Sequence, residues 1–417
     1  MHQVDAIEKF KKLKVGALFM KQGTGKTRTA FEIAKSTDAE LVLFLVPNQL
    51  KHNMLEQIKE WQFDMPFLIY SYESISQSDR IYLKLLNEIK DKKLMIIADE
   101  SIFIKNGDAK RYQRIIKIRD LSEYRLILNG TPITKNEWDI YYQMKFLSDR
   151  IINMSESQFL NTFFKKIKYK KKYQSPREFY KLSEVNIDYL KRLIEPYVYE
   201  VDLNFDKNES IEMTRVDSSS ETYSQYMDKA EEFIKAIENG SENLLERLAE
   251  MNYLMFTDKG RCNEIAKNLK GQQIVYCSYL KEVEYISSNC DCYVITGDTN
   301  YDERTEILKQ FKRNDKPLIM TFGVGAFGHN LQFCNKITFA SLTYDYAKVD
   351  QAKYRIKRLG QERDIEYHYM TSDIPIYNLI FDNLEKKEAL HEIVIKNLEE
   401  FKNGKNLYKS ERIRSSV

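Results

Sequence analysis

The most regular feature of the sequence is an alternation between short, continuous hydrophobic runs and longer segments of helical periodicity. Residues 15–20, 40–47 and 94–98 are almost entirely hydrophobic, whereas in residues 28–35 the hydrophobic positions recur every three or four residues. Continuous runs of this length are typical of strands that are buried on both faces, and the periodic segments are typical of helices that cover them. The first part of the chain is therefore predicted to form a parallel sheet between helices.

The same pattern returns in the second half of the chain. Residues 274–278, 292–298 and 318–321 are predicted strands, and a periodic segment that includes Arg304 is predicted to form a helix between the last two. Residues 218–268 are polar and have helical periodicity, so they are predicted to be helices that precede this second sheet. The fold class is therefore α/β, with two lobes and helical insertions between them.

Length and composition agree with two domains. The chain has 417 residues, of which 43% are hydrophobic and 30% are charged, and this is enough apolar surface for two cores. The net charge is only +3, so affinity for nucleic acid must come from local patches. Five scattered cysteines in no paired metal-binding spacing are typical of reduced thiols. No hydrophobic stretch approaches the roughly 18 residues of a membrane span, and no signal peptide is recognisable, so a cytoplasmic location is expected.

A glycine-rich loop follows the first predicted strand and precedes the first periodic segment. It reads Gln22-Gly23-Thr24-Gly25-Lys26-Thr27, and strand, loop and helix in this order are the context in which such a loop binds phosphate. The glycines allow the backbone to approach an anion, which the helix N-terminus then binds. Lys26 is expected to contact the β- and γ-phosphates of ATP, and Thr27 to bind Mg²⁺. A chance occurrence of the pattern is the alternative, since Met20 replaces the usual first glycine.

Two carboxylates end the hydrophobic run at residues 94–98. Asp99 and Glu100 come directly after it, and ligands of parallel sheets bind at the carboxyl ends of the strands. Asp99 is predicted to hold Mg²⁺, and Glu100 to polarise the attacking water. A solvated strand end is the alternative interpretation.

The segments around these carboxylates resemble a known family. Residues 99–106 resemble the Asp-Glu-Ala/Ser-His-x-x-Lys-Asn signature of Swi/Snf-type ATPases of helicase superfamily two, although the usual His is absent. Residues 126–136 resemble motif III of the same family. The resemblance implies that Gly130 and Thr131 couple nucleotide state to movement.

Two further segments resemble this family at its nucleotide and nucleic-acid contacts. Residues 323–331 resemble motif V, which implies that Gly325 contacts the nucleotide and Asn330 contacts DNA. Gln3 resembles the glutamine that recognises adenine in this family. A glutamine that only begins a helix and has no role in nucleotide binding is an equally good interpretation.

Residues 350–361 resemble motif VI. The spacing of Arg355 and Arg358 places two arginines one helical turn apart on one face of a helix. The resemblance implies that both contact the phosphates and that Gln351 contributes to nucleotide binding. Arginine is suited to this task because its planar fork stays charged and binds in a bidentate manner. A basic helix face that makes only surface ion pairs is the alternative.

A basic run in the middle of the chain is a candidate DNA contact. Lysines interleaved with tyrosines can neutralise phosphates and stack on bases. A solvated charged loop is an equally good interpretation, and in the family this region is a helical protrusion. The lysines concerned are Lys165, Lys166, Lys168, Lys170, Lys171 and Lys172.

The resemblance spans most of the chain and implies two RecA-like lobes that close around ATP and Mg²⁺. The implied activity is ATP hydrolysis coupled to movement on duplex DNA, in DNA replication, recombination or repair. A minimal motor from a bacterial cell or a phage-infected host is expected. A strand-separating DNA or RNA helicase and a non-hydrolysing DNA-binding scaffold are the alternatives. The expected segments are a first ATP-binding lobe (1–150), a helical and basic insertion with the end of the first lobe (151–205), a helical protrusion of the second lobe (206–268), a second lobe (269–375) and a helical tail (376–417).

Overall fold

The structure is a computed structural model, and it divides the chain into two compact units, Met1–Asn204 and Phe205–Val417. The described residues are 2–130, 138–169, 177–201, 205–238, 244–324, 331–358, 360–372, 377 and 380–381. Within these ranges, no helix has both the length and the apolar character that crossing a bilayer requires.

The first unit contains a six-stranded sheet with helices on both faces. Its strands are β1 (Val15–Met20), β2 (Leu41–Val46), β3 (Phe67–Ser71), β4 (Leu94–Asp99), β5 (Ser122–Asn129) and β8 (Val198–Val201), with a separate hairpin of β6 (Phe164–Tyr169) and β7 (Arg177–Leu182). Its helices are α1 (His2–Phe10), α2 (Lys26–Lys35), α3 (Lys51–Glu60), α4 (Tyr72–Gln77), α5 (Asp79–Ile89), α6 (Lys110–Arg119), α7 (Asp139–Leu147), α8 (Glu156–Phe163) and α9 (Ile187–Ile194).

All six strands of the first sheet are parallel, in the order β3-β2-β4-β5-β1-β8. Alternate side chains of β1 enter two hydrophobic clusters, one on each face of the sheet: Ala17 and Phe19 pack into the first, and Leu18 and Met20 into the second. Burial on both faces explains why the strands read as continuous hydrophobic runs in the sequence.

The second unit repeats this architecture with its own sheet. Its strands are β9 (Glu209–Arg215), β10 (Ile274–Cys277), β11 (Tyr293–Ile295), β12 (Leu318–Thr321), β13 (Lys336–Phe339) and β14 (Ile365–Thr371). Its helices are α10 (Ser220–Glu238), α11 (Leu244–Phe256), α12 (Lys259–Asn268), α13 (Leu280–Ser287), α14 (Tyr301–Arg313) and α15 (Tyr346–Lys353). The strands are parallel in the order β11-β12-β10-β13-β14-β9. The predicted α/β class with two parallel-sheet lobes is therefore confirmed.

The described part of the basic run, residues 165–169, forms a strand and not part of a helical insertion. These residues belong to β6, which pairs with β7 in an antiparallel hairpin, with Lys165 opposite Lys181 and Lys168 opposite Glu178. Ile167 and Tyr169 alternate with lysines in β6, and β-branched and aromatic residues favour a strand over a helix.

Residues 206–268, which were expected to be a helical protrusion, contain a strand near their start. β9 forms the edge of the second sheet and pairs with β14 along its whole length, from Glu209 opposite Ile365 to Arg215 opposite Thr371. Its side chains are mostly exposed. The sequence gives little sign of this strand because an edge strand with exposed side chains has no hydrophobic run.

A buried arginine holds the carboxyl ends of two strands in the second sheet. Arg261 of α12 has no exposed surface, and its Nη2 donates to the carbonyls of Ala340 (2.9 Å) and Met370 (2.8 Å), which lie at the ends of β13 and β14. Glu282 is also fully buried, and burial raises its pKa to about 7 although the charge of Arg261 opposes the shift. The arginine therefore both stabilises this carboxylate and satisfies two carbonyls.

Replacement of Arg261 by Met should destabilise the second unit by about 3–5 kcal/mol, because it leaves Glu282 without its cation and two buried carbonyls without a donor. The effect is measured by calorimetry and by hydrogen exchange of β13 and β14, whose amides should exchange faster. Both tryptophans, Trp61 and Trp138, lie in the first unit, so their fluorescence transition should stay unchanged. The exposed control Arg215→Met should change stability by no more than about 0.5 kcal/mol. Equal stability of the two variants would contradict this role.

Candidate functional site: a phosphate-binding loop and a pair of arginines

The register of the first sheet brings three loops to one edge. β5 lies between β1 and β4, with Asn129 opposite Phe19 and Leu128 opposite Asp99. Because parallel strands in register end at the same level, the loop after β1, the carboxylates after β4 and the turn after β5 lie at the same carboxyl edge of the sheet.

The glycine-rich loop has the backbone geometry of an anion site. Gly23 (φ 81°) and Gly25 (φ 83°) both adopt left-handed conformations, which side-chain-bearing residues rarely adopt. Gly25 is the N-cap of α2, so no side chain of its own covers the first N–H groups of the helix. Thr24 closes the loop because its Oγ1 donates to the Lys21 carbonyl at 2.6 Å. The N-terminus of α2 is thereby shaped for phosphate.

Gln3 of α1 lies directly against this loop. Its Nε2 donates to the Thr24 carbonyl at 3.1 Å, and the His2 ring nitrogen lies 3.0 Å from the same oxygen. A Cβ built on Gly25 would meet Gln3 Nε2, the end of a flexible side chain, so the requirement for glycine at this position comes from its left-handed φ. The structure thus places Gln3, which the sequence left between two interpretations, in contact with the phosphate loop.

Lys26 faces both the turn after β5 and the carboxylates after β4. A Cβ built on the buried Gly130 would lie 3.5 Å from Lys26 Nζ, which is an ordinary contact distance, so the ammonium group lies directly beside this turn. The charge of Lys26 also lowers the pKa of Asp99. Thr131, the second predicted coupling residue, lies outside the described residues.

Asp99 is a buried carboxylate in a mixed electrostatic field. Burial raises its pKa to about 6, the nearby Glu100 acts in the same direction, and Lys26 opposes both. Its Oδ1 accepts a hydrogen bond from the backbone N–H of Glu100 at 2.9 Å. Burial disfavours the ionised form of Asp99, so a second cation beside it would stabilise that form. The carboxylate oxygens of Asp99 and the hydroxyl oxygen of the buried Thr27 are ligands that Mg²⁺ prefers. The residues that are present therefore fit the ion.

Glu100 stands in a strained backbone conformation. Its φ of 50° and ψ of 56° are left-handed, and it opens the 3₁₀ turn Ser101–Ile104. Such a conformation costs a residue other than glycine on the order of 1–3 kcal/mol and persists only where the surroundings fix it. Strain of this kind clusters at functional sites, and here it coincides with the predicted water-activating residue.

Two buried side chains that the sequence did not single out contact this carboxylate turn. Tyr72 of α4 has no exposed surface, and its hydroxyl donates to the Asp99 carbonyl at 2.7 Å. Burial and the nearby carboxylates raise the pKa of Tyr72 far above its ordinary value, so the hydroxyl keeps its proton. Gln143 of α7 accepts a 2.6 Å hydrogen bond from Ser101 Oγ.

The contact at Gln143 extends into a polar network around the turn after β5. Asn129 Nδ2 donates to Ser101 Oγ at 3.4 Å, and Gln143 Nε2 donates to the Asp139 carbonyl at 2.8 Å. Lys105 forms an ion pair with the Asp139 carboxylate at 3.3 Å. The segment after β4 is therefore connected to both β5 and α7. The sequence gave only a weak signal of this, because Gln143 is one of three polar or charged residues in α7, with Asp139 and Lys145.

In the second unit, Arg355 and Arg358 lie beyond the end of α15, so the predicted placement one helical turn apart on a helix is wrong. α15 ends at Lys353, and the backbone then forms turns in which Arg355 N–H donates to the Ala352 carbonyl and Ile356 N–H to the Lys353 carbonyl. These bonds span three residues rather than four, which ends the α-helix.

The two arginines nevertheless remain close together. Arg355 is buried, and burial together with the charge of Arg355 lowers the pKa of Arg358 to about 9. Mutual repulsion of two guanidinium groups favours the binding of an anion between or beside them.

Gln361 fixes the turn that carries these arginines. It is buried, and its Nε2 donates to the carbonyls of Cys334 (2.9 Å) and Ile356 (3.3 Å). Gly360 precedes it with a φ of 91°. Gly360 and Gln361 thus stabilise the turn that carries the two arginines.

The remaining predicted contacts are only partly described. Gln351 lies in α15 and is partly buried, and Lys165 and Lys166 of β6 are exposed. Lys168 lies in β6, whereas Gly325, Asn330, Lys170, Lys171 and Lys172 lie outside the described residues.

Comparison with known families covers most of the chain. The SNF2-related domain matches residues 8–266, and the helicase conserved C-terminal domain matches residues 259–360. The SNF2-related match alone takes in more than half of the chain.

Individual relatives are distant. The human DNA annealing helicase and endonuclease ZRANB3 is 20% identical over 88% of this chain, which spans only 37% of the human protein. The Bacillus subtilis (strain 168) protein described as an uncharacterized ATP-dependent helicase, YqhH, is 21% identical over 96% of this chain and 80% of its own length. The Sulfolobus solfataricus SWI2/SNF2 ATPase core in complex with dsDNA is 18% identical, with 98% of this chain and 97% of that chain covered and a TM-score of 0.41.

Gln3→Ala should weaken ATP binding by about tenfold and GTP binding much less, because loss of a base-specific hydrogen bond costs on the order of 1.4 kcal/mol. Titration of the purified protein with fluorescent ATP and GTP analogues measures both affinities. His2→Ala is the matched control, since His2 contacts the same Thr24 carbonyl without an amide that pairs with adenine. An equal loss for both nucleotides in Gln3→Ala would show that Gln3 only supports the loop.

Proposed function

The chain belongs to the SNF2-related family, and from this premise we propose that it is an ATP-dependent DNA translocase. Mg²⁺-dependent hydrolysis of ATP would be coupled to movement on duplex DNA, in replication, recombination or repair. The observation that carries this proposal is the convergence of the glycine loop, Lys26, Asp99 and Glu100 at one edge of the first sheet. A phosphate-binding loop, a buried carboxylate for a metal ion and a second carboxylate for the attacking water are the groups that phosphoryl transfer to water requires.

Each residue of the first unit has a chemical task in this proposal. The loop N–H groups and Lys26 bind the phosphates, and Asp99 and Thr27 would hold Mg²⁺, which supplies charge neutralisation when it is bound. Glu100 orients and polarises the attacking water, since it is the partly exposed member of the carboxylate pair, whereas Asp99 is buried.

Arg355 and Arg358 are proposed to stabilise the charge that develops on the transferring phosphoryl group. Their proximity and the depressed pKa of Arg358 support a position adapted to an anion. At neutral pH Arg358 is still charged, because its pKa of about 9 lies above the working pH.

DNA is proposed as the polymer on which the enzyme acts. The support is the family, together with the exposed lysines of β6, Lys165 and Lys166, which begin the basic run. Lys168, Lys170, Lys171, Lys172 and Asn330 remain predicted DNA contacts. A strand-separating helicase shares all these features and is the second candidate.

The proposal is tested by ATP hydrolysis in the presence of duplex DNA, single-stranded DNA and RNA. Duplex DNA should stimulate hydrolysis most, and displacement of a third strand from a triplex should accompany it without separation of the duplex. Lys26→Ala should lower the stimulated rate by at least about 100-fold, because it removes a cation from the phosphates. Lys35→Ala, at the other end of α2 and exposed, is the matched control and should retain activity.

Each alternative function has its own outcome in this experiment. Strand separation without triplex displacement would favour the helicase. DNA binding without any hydrolysis by the wild-type protein would favour the scaffold and overturn the proposal.

Arg358→Ala should lower turnover by about 10³-fold or more and change ATP affinity by no more than about threefold, because an arginine that acts mainly in the transition state leaves ground-state binding intact. Steady-state kinetics and nucleotide titration separate the two quantities. Arg363→Ala is the matched control, since the side chain of this exposed arginine of the same unit donates to the Phe333 carbonyl. An Arg358→Ala variant that loses affinity but retains its turnover number would assign Arg358 to ground-state binding instead.

A further inference from the structure

We propose that Tyr72 is a positioning residue for ATP hydrolysis, and that its hydroxyl fixes the peptide group between Asp99 and Glu100 so that the Glu100 carboxylate faces the attacking water. The inference rests on the proposed function, because it assigns Tyr72 a part in the same reaction. Tyr72 contacts neither nucleotide nor water in this scheme and acts through the backbone of Glu100.

Both polar atoms of that single peptide group are held. Its oxygen, the Asp99 carbonyl, accepts the Tyr72 hydroxyl at 2.7 Å, and its N–H, on Glu100, donates to Asp99 Oδ1 at 2.9 Å. A peptide is planar, so two hydrogen bonds on opposite sides of it leave little freedom for the plane to rotate. The plane in turn determines φ of Glu100, which is the left-handed value of 50°.

Tyr72 is itself held rigidly from both ends. It is the first residue of α4, where Ser71 caps the helix by accepting from Ser74 N–H at 3.1 Å. Its ring stacks on Phe103 with the ring centroids 5.4 Å apart and the planes within 8° of parallel. Because both the backbone and the ring of Tyr72 are held, its hydroxyl is held at the Asp99 carbonyl.

Phe103 belongs to the same turn as Glu100 and is held by a third residue. The Arg111 guanidinium lies 5.2 Å from the Phe103 ring centroid, and Arg111 Nη1 donates to the Phe103 carbonyl at 3.2 Å. The aromatic contacts of Phe103 therefore support the turn that follows Glu100, and Tyr72 supplies the hydrogen bond.

The consequence for catalysis concerns turnover and not nucleotide binding. Loss of the hydroxyl frees the peptide plane, so Glu100 can relax from its strained conformation and its carboxylate moves away from the water. A displacement of about 1 Å of a catalytic group can cost up to about 100-fold in rate. The phosphate loop is built from other residues and is not changed.

Tyr72→Phe keeps the stacked ring and removes only the hydroxyl. DNA-stimulated turnover should fall by about tenfold or more, whereas ATP affinity should stay within about twofold of the wild type. Tyr141→Phe is the matched control: Tyr141 is a buried tyrosine of the same unit whose hydroxyl donates to the Met154 carbonyl at 2.9 Å. It should retain its turnover number. Thermal unfolding of both variants shows whether they are folded at the assay temperature.

A double-mutant cycle with Glu100→Gln shows whether Tyr72 acts through Glu100. In the Glu100→Gln background, Tyr72→Phe should lower the residual rate by less than about twofold, because the residue that it positions no longer activates water. Equal losses in both backgrounds, an equal loss in Tyr141→Phe, or an unchanged turnover number in Tyr72→Phe would each overturn the inference. A wild-type protein that hydrolyses no ATP with DNA would instead overturn the proposed function.

Discussion

The parallel register of β1, β5 and β4 is the constraint on which the candidate site depends. Because Phe19 lies opposite Asn129 and Asp99 opposite Leu128, three segments that are distant in the chain end at the same level. A shift of one residue in either pairing would turn the adjoining side chains to the other face and move Asp99 relative to Lys26. The two hydrophobic clusters that cover the sheet therefore determine the position of the catalytic groups, since they specify the register.

At the carboxyl edge of the first sheet, the positive charge of Lys26 does not fully compensate the burial of Asp99 and the charge of Glu100. Burial disfavours the ionised form of Asp99 more strongly than Lys26 favours it, and Glu100 adds to the imbalance. In the second unit, burial and Arg355 disfavour the charged form of Arg358. In each unit, burial therefore disfavours the charged form of a candidate site residue, and a ligand of opposite charge would stabilise that form.

The sequence predicted the elements whose signals are local. The glycine loop and the strand that ends in Asp99 are contiguous patterns, and so are the two arginines, although the turns that carry them beyond α15 were not predicted. Tyr72 and Gln143 escaped prediction because their roles depend on Asp99 and Ser101, which are 27 and 42 positions away in the chain. The strand β6 was mistaken for part of a helical insertion because its pairing with β7, and not its lysines, decides its conformation.

The contacts that escaped prediction share one physical origin. Where a parallel strand ends, its last carbonyls leave the ladder and need other donors. Tyr72 supplies a donor to Asp99, and Arg261 supplies donors to Ala340 and Met370. Both are long side chains brought from elsewhere in the fold. Since the loop after β4 carries the proposed water-activating residue, satisfaction of the Asp99 carbonyl and the positioning of Glu100 are the same structural task there.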